Sequence, residues 1–272
     1  MRTLRQTHLS RYSLKARETI ETLYSGLRPD AIYQRFVGPR ILLNSVPKAG
    51  TNLLLDVMHC WPQFQRRIGR TLRGWHGIDN DTENTITSIR RGQYAPSHLP
   101  FSEDLRELLL AHEIRTVTVI RDPRDVYLSA ALYMAHMDTT HPGHAYFASL
   151  EDDTARIDAA LRGVEGVISP LAETLEKFAG WLSYRNGLIV RFEDIVGSPE
   201  TRNSALKSMA TYLGLPFHEG ILCTADRYIG KPGNLTFRKG KAGEWRERFN
   251  AEQIEMVNNS AGNLIKLFGY AD

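Results

Sequence analysis

The chain has 272 residues, 42% hydrophobic and 24% charged, which is enough apolar material for a sizeable core. Its formal net charge of +3, from 34 basic and 31 acidic residues, is too small to imply a nucleic-acid partner. Cys60 and Cys223 are the only cysteines, which excludes a disulfide framework and a cysteine-built zinc site and fits a reducing compartment.

Residues 1–40 carry 8 Lys/Arg against 3 Asp/Glu. Within them Ala16, Ile20, Leu23, Tyr24 and Leu27 recur at helical spacing, so residues 1–37 are expected to form a basic helical extension. Such a helix ordinarily packs one face on the core and solvates the other; peripheral docking on a membrane or an anionic acceptor is the functional alternative. The longest apolar stretches, Ile41–Val46 and Leu108–Ala111, fall well short of the ~18 residues of a transmembrane span. No apolar run follows the basic N-terminus as it would in a signal peptide, and the expected location is the cytoplasm.

Further along, Ile41–Ser45 reads as a short buried strand, Val46–Gly50 as a loop and Thr51–Cys60 as a helix. Arg66, Arg67, Arg70 and Arg73, with Trp75 and His76 beyond, read as a solvated face of a helix or loop; the alternative is contact with an anionic or sugar acceptor. Gln93–Ser97 is a candidate strand ahead of a helix over Glu103–His112, and the β-branched run Thr116–Ile120 is the strongest strand signal. Asp122 is a candidate N-cap with Pro123 in the first helical turn. From about His136 to Ser169 the pattern is less regular and a mobile loop is expected there, containing His141-Pro142-Gly143 and the acidic Glu151-Asp152-Asp153. Leu188–Phe192 is another strand, Ser198-Pro199 opens a helix, and residues 251–272 read as a C-terminal helix. This alternation predicts an α/β fold in a single domain, with a mostly parallel β-sheet flanked by helices.

Four segments carry chemistry. Val46-Pro47-Lys48-Ala49-Gly50-Thr51-Asn52 runs from a buried strand into a helix, where free backbone N–H groups make a ready anion site. Gly50 permits close backbone approach, Lys48 supplies a charge, and Thr51 and Asn52 add donors. A nucleotide triphosphatase loop would place Lys after the second Gly, and no such pattern occurs in the chain. Arg121, at the end of the Thr116–Ile120 strand, is suited to clamp a phosphate bidentately, with Ser129 two helical turns on as a hydroxyl donor. Ser97-His98-Leu99-Pro100 places a histidine at a strand end between these two motifs. Phe237-Arg238-Lys239-Gly240-Lys241-Ala242-Gly243-Glu244-Trp245 sets basic side chains beside glycines, as in a flexible strap.

In this order the segments resemble those of sulfotransferases that use 3′-phosphoadenosine 5′-phosphosulfate (PAPS), over about residues 38–250. Lys-Ala-Gly-Thr-Asn is similar to the family's Lys-Ser-Gly-Thr-Thr loop, and Arg238-Lys239-Gly240 to its C-terminal Arg-Lys-Gly. The resemblance implies a nucleotide-binding, P-loop-like sulfotransferase fold spanning the chain. It implies that Lys48, Ala49, Gly50, Thr51 and Asn52 cradle the 5′-phosphosulfate, while Arg121 and Ser129 hold the 3′-phosphate. Arg238, Lys239 and Gly240 would close over the 3′-phosphate and adenosine, and Phe192, in an echo of the family's Tyr-Glu-Asp, would lie near adenine. His98 would be the general base toward an acceptor hydroxyl, Lys48 would neutralise the leaving phosphate, and Ser129 would modulate Lys48. PAP (3′-phosphoadenosine 5′-phosphate) would be the product, no metal is required, and the acceptor would be a small alcohol or phenol, a natural product, a glycan or a lipid headgroup.

The sequence departs from the family at three places. Leu53 stands where an adenine-stacking aromatic is common, Pro96 replaces a lysine, and the dimerisation pattern of animal enzymes is broken around Arg246…Glu255. These departures fit a bacterial or otherwise divergent member. The rival readings are a kinase or triphosphatase with an atypical phosphate loop and a non-catalytic PAPS- or PAP-binding module.

Overall fold

The computed structural model describes residues 28–75, 77–229 and 242–270. Its strands are β1 (Arg40–Ser45), β2 (Gln65–Arg66), β3 (Leu72–Arg73), β4 (Gln93–His98), β5 (Ile114–Ile120) and β6 (Gly187–Arg191). They form one sheet in the order β2-β4-β1-β5-β6, with β3 also pairing β4, and every pairing is parallel. The first helices are α1 (Pro29–Val37), α2 (Thr51–Met58), α3 (Asn80–Thr87), α4 (Glu103–Ala111), α5 (Pro123–His136), α6 (His144–Ser149) and α7 (Asp153–Arg162). After them come α8 (Leu171–Ser183), α9 (Phe192–Val196), α10 (Pro199–Leu213), α11 (Glu219–Tyr228), α12 (Trp245–Arg248) and α13 (Ala251–Leu267).

Helices cover both faces, which is why the central strands read as apolar runs rather than as alternations. Ile41 and Leu43 of β1, with Val117 and Val119 of β5, face a core shared with α2 and α10. Leu42 faces the opposite core, built with α5 and α8. The chain runs from β1 to one side of the sheet (β4) and then returns to the other (β5, β6). The ends of β1, β4 and β5 therefore flank a topological switch point, where open α/β sheets form their clefts.

Several boundaries differ from the sequence reading, for local reasons. The helix after the loop stops at Met58, because the N–H groups of His59 and Cys60 bond carbonyls three residues back, Asp56 and Val57. α4 stops at Ala111, β5 begins two residues early at Ile114, and β6 ends at Arg191 because Phe192 opens α9. The segment expected to be a loop from His136 to Ser169 instead holds α6 and α7. Asp152, read as part of an acidic run, is the N-cap of α7 and accepts from the Ala155 N–H at 2.8 Å. Arg156 then ties this region together through the carbonyls of Phe147 (3.0 Å) and Leu150 (2.8 Å). The expected cap Asp122 forms, accepting from Arg124 N–H at 3.0 Å, and Ser198, where the expected helix opens, accepts from Thr201 N–H at 3.3 Å. Of the N-terminal extension only α1 is described; the apolar positions Ala16 to Leu27 lie outside the described residues.

Candidate active site

The loop between β1 and α2 is shaped by two residues of positive φ, Lys48 at 71° and Gly50 at 126°. A Cβ at Gly50 would lie 3.0 Å from Phe192 Cδ2, so glycine is required on grounds of both conformation and space. Thr51 and Asn52 open α2, whose first-turn N–H groups have no intrahelical acceptor and lie at the positive end of the helix. The Lys48 ammonium sits 3.6 Å from the centre of the Tyr133 ring.

Arg121 enters from the end of β5. Its guanidinium donates to the Lys48 carbonyl at 3.4 Å, stacks 4.4 Å from the centre of the Phe192 ring and lies 3.9 Å from the fully buried Asp125 carboxylate. Ser129, also buried, lines the same cleft from α5.

His98 is placed by the pairing of β4 with β1. Buried Asn44 donates to the Leu99 carbonyl at 3.0 Å and accepts from Leu99 N–H (2.9 Å) and Ser97 Oγ (2.8 Å), locking the exit of β4. His98 Nδ1 then lies 3.0 Å from the Ser45 carbonyl and 3.3 Å from Ser45 Oγ. A carbonyl only accepts, so Nδ1 carries the proton and Nε2 keeps its lone pair. Burial is the main cause that pushes the His98 pKa down to about 4, with the charges of Arg73 and Lys48 acting in the same direction. The imidazole is therefore neutral at pH 7. Ser45 Oγ also pairs with Thr51 Oγ1, so one serine links the histidine to the anion loop.

The C-terminal segment is docked by acidic residues of the Arg-Asp-Pro-Arg-Asp motif. Asp125 accepts from the backbone N–H of Gly243 (2.6 Å) and of Trp245 (3.0 Å), and Asp122 accepts from Trp245 Nε1 at 3.0 Å. Arg124 pairs with Asp122 at 2.9 Å and lies 3.7 Å over the Trp245 ring. Arg238, Lys239 and Gly240 lie outside the described residues.

These groups meet in one cleft of about 900 Å³, within the size range of small-molecule sites. Lys48, Gly50, Thr51, Asn52, Arg121, Ser129, His98 and Phe192 all line it. Ala49 is buried beneath the loop and is absent from the cleft wall. Sequence reasoning missed Tyr133, Asp138 and Glu173 as lining residues, and the turn Gly163–Pro170 that follows α7. None carries a motif, and they reach the cleft only through helix packing. Leu53, singled out as a departure from the family, also lines it. Among the described residues no group of three or more His, Cys, Asp or Glu could hold a metal, and no helix is long and apolar enough to cross a membrane.

A parallel sheet with a strand-to-helix loop and a neutral histidine at its switch point defines the class, an α/β protein with its cleft at the ends of the central strands. The sulfotransferase domain family matches residues 38–231, and the chain belongs to that family. Among solved structures, the mouse sulfotransferase SULT7A1 complexed with PAP superposes with a TM-score of 0.62 at 21% identity, covering 86% of this chain and 89% of that one. Retinol dehydratase, in complex with androsterone and PAP, superposes with a TM-score of 0.53 at 17% identity over 83% of this chain and 80% of that one. At such identities the likeness is one of fold, and it agrees with the fold expected from the sequence. No curated protein sequence matches the chain.

Proposed function

We propose that the chain transfers a sulfuryl group from PAPS to an acceptor hydroxyl, with His98 as the general base. The observation that carries this reading is the meeting, in one cleft, of an anion loop, a buried arginine and an imidazole whose Nε2 lone pair is free for a proton. The donor set fits PAPS: Lys48 and the α2 N-terminus suit a phosphosulfate, Arg121 and Ser129 suit a second, separate phosphate, and Phe192 offers a flat apolar surface to a base. Arg238, Lys239 and Gly240 are assigned to the same donor on the resemblance of their sequence to the family's C-terminal segment. PAPS supplies a sulfuryl group on a phosphate leaving group, so an acceptor O–S bond forms as the bridge to phosphate breaks at sulfur.

The chain's own contribution is positioning and electrostatics. His98 Nε2 takes the acceptor proton, while the Nδ1 hydrogen bond to the Ser45 carbonyl orients the ring and disperses the charge that develops. Lys48 stands in the loop where negative charge builds on the departing phosphate, and Ser129 restrains it. The chain acts as one domain, with its core over residues 38–250, on a hydroxyl-bearing acceptor. Calorimetric titration with PAP, 5′-AMP and ATP, repeated on Arg121→Ala, tests the donor site. PAP is expected to bind far more tightly than either, with the preference lost in the variant. Equal or tighter binding of ATP would sink the assignment of the 3′-phosphate and favour a kinase-like reading.

A further inference from the structure

Beyond the donor groups, the cleft holds a cation with no assigned task. β3 is only two residues long and pairs β4 in parallel register, Leu72 with Ser97 and Arg73 with His98. Paired residues on adjacent strands project from the same face of a sheet, so Arg73 stands beside the base. Both line the cleft. The sheet order then sets the sides. β3 lies three strands from β5, about 14 Å across the sheet at the usual strand spacing. Arg73 is thus on the far side of His98 from Arg121 and the anion loop.

The partners of the surrounding charges are equally informative. Lys177 pairs with Glu173 at 2.6 Å, and Asp138 is engaged by Tyr133 Oη (2.9 Å) and by Thr140 N–H and Oγ1. Among the described residues Arg73 has neither a hydrogen bond nor an ion pair. His141, half-buried in the same cleft, accepts from Gly143 N–H on Nδ1 at 3.1 Å, which leaves Nε2 as its N–H donor. Its ring meets Tyr133 edge-on at 6.3 Å. Burial holds His141 below the ordinary histidine value; the Asp138 carboxylate opposes the shift, and the charge of Arg73 adds to it as it does at His98.

We infer that Arg73 and His141 form an anion subsite on the acceptor side of His98, so that the acceptor is a hydroxyl compound carrying a carboxylate, sulfate or phosphate of its own. The inference rests on the reading of this cleft as a sulfuryl-transfer site with His98 as its base. It narrows the acceptor class: a wholly apolar alcohol would leave the exposed guanidinium to water alone, whereas an oxyanion supplies the opposite charge and two acceptor oxygens. The turn Gly163–Pro170 and Trp75 would then hold the remainder of the acceptor.

The test is calorimetry on enzyme saturated with PAP, using matched anionic and neutral ligands: para-hydroxyphenylacetate against its amide, glucuronate against glucose, and glycerol phosphate against glycerol. On at least one scaffold the anion is expected to bind roughly tenfold or more tightly than its neutral partner, as for a charge-assisted pair. Arg73→Gln and His141→Gln should each shrink that preference, and Arg73→Lys should retain part of it, with PAP affinity unchanged in all three. The inference is overturned if no scaffold shows an anion preference, or if the preference survives Arg73→Gln. It is also overturned if Arg73→Gln weakens PAP binding itself, which would place the guanidinium on the donor. Failure of PAP to bind at the outset would instead remove the underlying sulfotransferase reading, a result seen before any acceptor is added.

Discussion

The low pKa of His98 makes a prediction that can be read without substrate. In the unfolded chain the imidazole titrates near its ordinary value of 6.5, and in the folded chain near about 4. Between those values the unfolded state binds a proton that the folded state refuses. Acidification through this window therefore destabilises the fold, and above about pH 6.5 the effect vanishes because both states are neutral. Linkage sets the size at about 2 kcal/mol by pH 5 and about 3 kcal/mol by pH 4. His98→Gln has no group to titrate, so other acidic effects cancel in the comparison. Urea unfolding of both proteins at pH 7, 6 and 5 should show the wild type losing about 2 kcal/mol relative to the variant by pH 5. A difference that stays flat across that range, or an imidazole resonance titrating near 6.5 by NMR, would refute the half-buried, Nδ1-protonated histidine on which the base assignment rests. Bound PAPS should raise this pKa, because its negative charge favours the imidazolium.

Three substitutions probe the rest of the site. Gly50→Ala, at φ 126° and 3.0 Å from the Phe192 ring, should cost about 1–3 kcal/mol in thermal unfolding and weaken PAP binding; a neutral result would mean that the loop does not need glycine. Asp125→Ala leaves the Gly243 and Trp245 N–H groups and Arg121 without their buried carboxylate, at a cost of about 3–5 kcal/mol. The native Trp245 emission should shift to the red, and unchanged emission would show that the strap is held by other contacts. Asn44→Ala removes the bonds that lock the exit of β4 and should cost about 1–3 kcal/mol. It should also lower kcat with little change in PAP affinity; an equal loss of PAP affinity would argue against a role confined to positioning His98.

The fold class was legible because its signals are local. Apolar runs of strand length, the cap Asp122 and the Pro at helix starts are all written within a few residues of where they act. The anion loop and the Arg121…Ser129 spacing were legible for the same reason, since each depends on one strand-to-helix junction. β2 and β3 were not, because two residues carry no periodicity and their pairing is decided by β4 from a distance. The expected loop at His136–Ser169 failed on a reading of charge: Asp152 is a cap, and the acidic run that suggested irregularity starts a helix.

The sequence by itself thus determined the family, the α/β alternation and many of the residues that line the cleft, because those follow from short-range geometry and residue chemistry. Tertiary structure alone decided the pairing of Arg73 with His98 across two strands and the docking of Trp245 on Asp122 and Asp125. It also decided the depression of the His98 pKa by burial and the tautomer set by the Ser45 carbonyl. Each of these arises from groups more than 20 residues apart in the chain whose distance, burial and direction exist only once the sheet has formed.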